Sequence, residues 1–422
     1  MIIADLHLHS RFSRACSKDL TIKNLEKWGK IKGVGLLGTG DFTHPEWKQE
    51  LKRELVEDGT GIPKTKSGFP FLYQVEVSQI YTDGHGRRVH NIIWAPSMEI
   101  VEQITEYFLK HGRVDYDGRP IFKIPCPDLV EEMRSISNEI EVIPAHVWTP
   151  WYSLFGSKSG FDSVEEAFKD QSKHIHALET GLSSDPLMNW QISGLDKYNL
   201  VSFSDSHSFW PWRLGREATL FDVKELTYAN IIKAIRTGEG LQGTIEVDPN
   251  YGKYHIDGHR ACNVVMEPEE SKKHNNICPG CKRPLTLGVL NRVNELADRE
   301  HGYKVPGKPV FYTLLPLSEL ISAVYGAGLA TKKTWKYFWD LINKFGSEYK
   351  VLLDASKEEL LEVVDASLAD AILRNRTGDI KVTPGYDGVY GVPVLGKAKT
   401  PPAAETAAPA KTGPQKGLGD FI

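Results

Sequence analysis

What most constrains this chain is the place of its histidines and acidic residues, at the ends of short apolar runs. The first run is MIIADLHLHS, in which His7 and His9 stand two apart. On a strand that spacing aims both imidazoles at one face. The placement recurs in GTGDFTH (Asp41, with His44 nearby), EVS (Glu76), RVHN (His90), PAHVW (His146) and SFSDSH (Asp205 and His207). A single such residue is ordinarily a satisfied polar group or a helix cap. Eight of them at six successive strand ends read together as a metal centre, because imidazoles mixed with carboxylates suit zinc, manganese or iron. A carboxylate bridging two or three ions is an arrangement that activates water against phosphate esters.

From residue 1 to about 250 these runs alternate with helical stretches such as Leu20 to Lys32. Strands alternating with helices predict βα units around a parallel sheet or barrel, and chemistry in such folds gathers at the carboxyl ends of the strands. HALETGLSSDPLMNW follows another predicted strand. It is either a helix cap or a substrate-contacting loop, with Glu179, Ser183, Ser184 and Asn189 as candidate donors and acceptors but no assigned roles.

Residues 251–288 break the pattern. HRAC (His259 to Cys262) and CPGC (Cys278 to Cys281) are separated by fifteen residues. With one His in place of a Cys, this is the spacing of a structural zinc site. The expected ligands are His259, Cys262, Cys278 and Cys281, with His255 as an alternative fourth, and the ion supplies much of the module's folding energy. Five cysteines, three of them clustered here, argue against a disulfide framework. Cys16 and Cys126 are expected as buried or half-buried thiols.

Residues 289–396 show apolar spacings of three and four and predict a helical domain. In KKTWKYFWDLINKF, Trp335, Phe338, Trp339, Ile342 and Phe345 share one face, which favours a core role. Lys332, Lys333 and Lys336, and farther on Arg374, Arg376 and Lys381, are candidate contacts for a phosphate backbone. The formal charge, 51 − 55 = −4, neither supports nor excludes a polyanionic substrate. No apolar run is long enough to span a membrane, and the first residues lack the pattern of a secretion signal. The expectation is a cytoplasmic protein. Residues 397–422 carry KAKTPPAAETAAPAKTGP, without periodicity or aromatics, and read as a flexible tail.

Asp5 to Ser10, as D-L-H-x-H-S, and Asp205 to His207, as D-x-H, resemble the first and last motifs of the polymerase-and-histidinol-phosphatase (PHP) superfamily. That resemblance, over about the first 210 residues, implies a distorted barrel of seven β/α units. It also implies a phosphoesterase centre of two or three divalent ions (Zn, Mn, Mg or Fe) held by His7, His9, Asp41, Glu76, His90, His146, Asp205 and His207. Two departures stand out. Arg14, Ala15 and Cys16 occupy the place of a family acidic residue, and the family's T-D-H appears as Thr39-Gly40-Asp41. Asp41 is therefore favoured over His44 as a ligand.

The last eight residues, QKGLGDFI, place Gln415, Leu418, Phe421 and Ile422 at offsets 0, 3, 6 and 7. They resemble peptides that dock on the sliding clamp PCNA, where one helical turn carries apolar side chains into a pocket. PHP motifs, zinc module, helical region and hook in this order resemble the endonuclease Q proteins. The resemblance implies a DNA repair endonuclease that hydrolyses the phosphodiester 5′ to a deaminated base (hypoxanthine, uracil or xanthine) or an abasic site. It implies metal-activated water, an extruded base, and 3′-hydroxyl and 5′-phosphate ends. Damaged DNA and PCNA are the expected partners of a nucleoid-associated monomer. Two other readings stand beside it: a PHP-family small-molecule phosphatase, and a clamp-tethered DNA-binding protein with an inactive centre.

Overall fold

The computed structural model describes residues 1–395. Its framework is set by short strands rich in Val, Ile and Leu and buried along most of their length, the mark of a sheet covered on both faces. The main sheet runs, in spatial order, through Val310–Thr313, Leu241–Glu246, Ala218–Phe221, Ile2–Asp5, Leu36–Gly38, Phe71–Asp83, His85–Ala95 and Glu141–Pro144. A parallel pair, Ala177–Glu179 with Asn199–Val201, stands apart from it. Two contacts draw this pair against the sheet. Val147 N donates to Glu179 O at 3.0 Å, and Leu8 forms a parallel bridge with Ser206, where His9 N donates to Ser206 O at 3.1 Å. The sheet thus curls, and the ends of distant strands meet.

The sheet is mixed rather than uniformly parallel. Phe71–Asp83 and His85–Ala95, expected in separate βα units, form one antiparallel hairpin that turns at Gly84 (φ 71°). A single glycine free to adopt positive φ leaves no room for a helix between them. Ala218–Phe221 is antiparallel to both of its neighbours. The 289–396 segment is not all helical either: Val310–Thr313 pairs in parallel with Leu241–Glu246 as the sheet's edge. Its alternating Val, Phe, Tyr and Thr suit a pleated surface better than a helix.

The helices of that segment pack directly on the curled sheet's flank. Lys332–Phe345 starts at Thr331, whose side chain accepts from Thr334 N, and buries Trp335 and Phe338. Trp335 lies 5.8 Å from Trp28 and 5.7 Å from Trp210, centroid to centroid. Beneath them Lys32 Nζ meets Glu348 Oε1 at 2.7 Å, and both side chains are buried. Three of the six candidate backbone contacts are engaged: Arg376 donates to the carbonyls of Val351, Leu352 and Ala355, Arg374 pairs with Asp379, and Lys336 pairs with Asp340. Residues Gln415, Leu418, Phe421 and Ile422 lie outside the described residues.

Candidate metal centre

Strand ends deliver the site. His7 and His9 follow Ile2–Asp5, Glu76 lies within the hairpin's first strand and His90 in its second. His146 follows Glu141–Pro144, and Asp205 follows Asn199–Val201. Asp41, His146 and Asp205 all hold positive φ (45°, 31° and 47°). Such backbone costs roughly 1–3 kcal/mol per residue and concentrates at functional sites.

Two groups of donor atoms result, each within 4.8 Å: His7, His9, Glu76 and Asp205, and Glu76, His90 and His146. Glu76 belongs to both. Its Oε1 lies 2.6 Å from His90 Nδ1 and 3.0 Å from His146 Nε2, while Oε2 lies 3.2 Å from His9 Nε2. His9 Nε2 also meets Asp205 Oδ1 at 3.0 Å.

Burial raises the Glu76 carboxyl, but the charges of His90 and Arg119 and the hydrogen bond from His146 outweigh it and hold it well below the usual carboxylate range. Burial pulls His7 and His9 down, yet Glu179, Glu76, Asp41 and Asp205 outweigh it and push both imidazoles well up. Burial brings His90 down to about 4. The centre therefore concentrates negative charge that calls for cations. His7 Nε2 gives the sharper test. It is buried without a hydrogen-bond partner among the described residues, 3.8 Å from both Glu76 Oε1 and Asp205 Oδ1. A lone imidazole nitrogen facing two carboxylates fits a divalent ion of the zinc or manganese kind.

Not every expected ligand joins these groups. Asp41 sits behind His9: its Oδ1 takes His9 Nδ1 at 3.1 Å, and its Oδ2 accepts from Ser10 N, Ser10 Oγ and Ser13 Oγ at 2.6, 2.7 and 2.8 Å. Its oxygens are spent on orienting the ring rather than turned toward the centre. His207 also lies outside both groups, its ring 4.5 Å from that of His9 and its Nδ1 3.0 Å from Asp205 O. His44 stacks on Phe12. Two residues without an assigned role in the sequence prove central. Glu179 accepts from His7 Nδ1 at 2.9 Å and from His146 N at 2.6 Å, and Arg119 reaches Glu76 Oε2 at 3.0 Å. A glutamate at the end of ALE is a visible signal; an arginine in DGRP is not.

A third group of donors joins His259, Cys262, Cys278 and Cys281. Backbone N–H groups of Cys281 and Gly280 pull the Cys278 thiol down to about 7, which favours the thiolate an ion needs. Cys281 Sγ lies 3.4 Å from His259 Nδ1. His255, the alternative ligand, lies outside the group, buried, with burial taking its imidazole down to about 4.

A cavity of about 690 Å³ opens beside the first two groups, lined by His90, Arg119, His146, Asp205 and His207 on one side. Trp151, Tyr152, Tyr254 and Tyr390, with Arg88, Arg213 and Lys253, form much of the rest. Tyr152, at φ 61°, lies 4.8 Å from the His90 ring and under the Arg88 guanidinium.

Fold and site define the class: an α/β protein with a candidate metal centre at its strand ends and an aromatic, basic cavity beside it. Solved structures carry the same frame. A lesion-specific endonuclease from Pyrococcus furiosus is 31% identical, with 93% of this chain and 95% of that one covered at a TM-score of 0.84. Endonuclease Q in complex with a 27-mer duplex, its abasic lesion at the active site, is 32% identical over 94% of this chain and 97% of that one, also at 0.84. The chain belongs to the endonuclease Q family. Among curated proteins, YqxK of Bacillus subtilis is 29% identical, covering 92% of this chain and 98% of the relative. MJ0043 of Methanocaldococcus jannaschii is 35% identical over 71% of this chain, which spans only 36% of MJ0043's own length. Residues 316–379 match the family model of the MJ0043 C-terminal domain. No helix among the described residues is long and apolar enough to cross a membrane.

Proposed function

We propose that this chain is a DNA repair endonuclease that recognises a damaged nucleotide and hydrolyses the phosphodiester on its 5′ side. One observation carries the reading: the family member solved with a lesion duplex at its active site matches nearly the whole chain, and this chain keeps an open cavity beside its own candidate centre. The lesions are those the resemblance implies, hypoxanthine, uracil, xanthine and abasic sites. A base mispaired by deamination costs less to extrude than a paired one. Trp151, Tyr152 and Tyr254 offer it aromatic faces, and Arg88, Arg213 and Lys253 offer the backbone positive charge.

His7, His9, Glu76 and Asp205 would hold one ion, and Glu76, His90 and His146 a second. Divalent ions bound there supply an activated water and neutralise phosphate charge. The chain's own part is orientation: Glu179 fixes the His7 ring and Asp41 the His9 ring, each through Nδ1. In the net reaction the oxygen of water bonds to phosphorus and the P–O3′ bond breaks. The 3′ oxygen leaves as a hydroxyl and the phosphate stays on the damaged nucleotide's 5′ side.

The finer fold reading is a PHP-type distorted (β/α)7 barrel. Seven strands support it: five side by side from Ile2–Asp5 to Glu141–Pro144 and the parallel pair, joined at its two sides by the Val147–Glu179 and Leu8–Ser206 contacts. His259, Cys262, Cys278 and Cys281 suit one structural zinc. The tail motif is read as a tether to PCNA, which raises local concentration on DNA without fixing orientation.

The test is a denaturing gel of end-labelled duplexes carrying one deoxyinosine, deoxyuridine or abasic site, incubated with magnesium, manganese or zinc. A metal-dependent nick immediately 5′ of the lesion, absent from undamaged duplex, is expected. Turnover of small phosphate esters without any nick overturns the reading.

A further inference from the structure

We propose that Arg119 is a catalytic residue of the nick, its guanidinium contacting a non-bridging oxygen of the scissile phosphate and stabilising the charge that develops there. The inference rests on the nicking reading above. It begins from a departure in the sequence: Arg14, Ala15 and Cys16 stand where an acidic residue was expected after the paired histidines. The structure shows two groups of donors around Glu76 among the described residues rather than three, with His207 outside both. Beside them, where a further positive charge is wanted, stands a guanidinium.

Arg119 is placed by a built loop. Buried Asp117 accepts from Arg119 N at 3.2 Å and from Arg14 N and Nε, both at 3.3 Å. Gly118 lies so close to the residues behind His9 that a Cβ would overlap the carboxyl group of Asp41 and Ser13 Oγ. Immediately beyond, Ile121–Phe122 pairs with Ser78 and Gln79, two strand residues past Glu76. The loop's position is therefore keyed to the same strand and the same aspartate that set the metal centre.

The guanidinium has capacity to spare. Among the described residues it makes one hydrogen bond, from Nη1 to Glu76 Oε2 at 3.0 Å, and it lines the cavity with its side chain 26% exposed. A purely structural partner for Glu76 is the plainer alternative, but Glu76 already receives His90, His146 and His9 within 3.2 Å. The remaining N–H groups form a planar fork matched to phosphate oxygens, which a lysine cannot reproduce. During hydrolysis water's oxygen bonds to phosphorus as the P–O3′ bond breaks, and charge on the non-bridging oxygens grows. A charge fixed in place before the reaction favours that state over the ground state.

The experiment compares full-length parent, Arg119→Ala and Arg119→Lys in single-turnover nicking of a deoxyuridine duplex. Ions per chain, affinity for the same duplex in chelator, and nicking with added guanidinium ion are measured on each. Expected are a loss of about 10²–10³-fold in Arg119→Ala, unchanged ion content, affinity within about threefold, and partial rescue by guanidinium. Nicking by Arg119→Ala within threefold of an active parent overturns this inference alone. So does a variant that loses ions and is not rescued, which makes Arg119 a positioning residue for Glu76. An inactive parent overturns the nicking reading as well.

Discussion

Glu179 stands directly behind His7, its carboxylate 2.9 Å from Nδ1, and leaves Nε2 of the same ring facing Glu76 and Asp205. The same carboxylate anchors His146 through its backbone N–H at 2.6 Å, so one residue orients a donor in each group. Orienting carboxylates of this kind typically govern metal affinity by 10–100-fold. Glu179→Ala is expected to weaken metal binding by about that factor, with nicking regained at higher metal concentration. Calorimetric titration of stripped protein checks it; unaltered affinity would leave Glu179 a mere packing residue.

Lys32 and Glu348 join the curled sheet's flank to the C-terminal helices through one buried ion pair, reinforced by Lys32 Nζ to Pro211 O at 2.7 Å and Leu317 N to Glu348 Oε1 at 2.9 Å. Removing one partner strands a buried charge, which costs about 3–5 kcal/mol, while replacing both by apolar groups is often neutral. Lys32→Met should therefore lower stability by that order, and Lys32→Met with Glu348→Leu should recover most of it. Denaturant unfolding of the two variants decides between this and a dispensable pair.

Much of the centre was legible because its chemistry recurs at strand ends: His7, His9, Glu76, His90, His146 and Asp205 all reach the two groups. What spacing cannot tell is whether a carboxylate faces an ion or the back of a histidine, and Asp41 is the second kind. Arg119 was invisible because a single arginine in a loop has no periodic or paired signature. The hairpin through Gly84 had a signal in Asp83-Gly84 between alternating apolar residues, masked by the expectation of a helix after every strand. The edge strand Val310–Thr313 is four residues long and meaningful only once its partner is in place.

Glu246 makes stability depend on pH. Burial pushes its carboxyl up to about 8 against hydrogen bonds from Thr244 and Thr180, and burial with the nearby charge of Glu246 pushes Glu217 up as well. A folded-state value above the unfolded one means the fold favours the protonated form. That contribution is complete below about pH 4.5 and is lost as pH rises through about 8. Glu246→Gln cannot ionise, so its melting temperature should gain on the parent's between these limits. A difference independent of pH would contradict the account.

Deleting Lys411 to Ile422 removes Gln415, Leu418, Phe421 and Ile422 and leaves every described residue intact. Clamp binding is expected to disappear while nicking of a free lesion duplex stays unchanged. Surface plasmon resonance on immobilised PCNA, with gel assays in parallel, checks both halves. Undiminished clamp affinity would dismiss the hook.

The most direct test of the central claim is to strip all metal from the full chain, return zinc or manganese stepwise, and follow ions bound and 5′-lesion nicking together. The account predicts no nicking without metal and full nicking once the Glu76-bridged groups hold two ions beyond the one at His259, Cys262, Cys278 and Cys281. Nicking that persists in stripped protein, or that never appears at full loading, would contradict it.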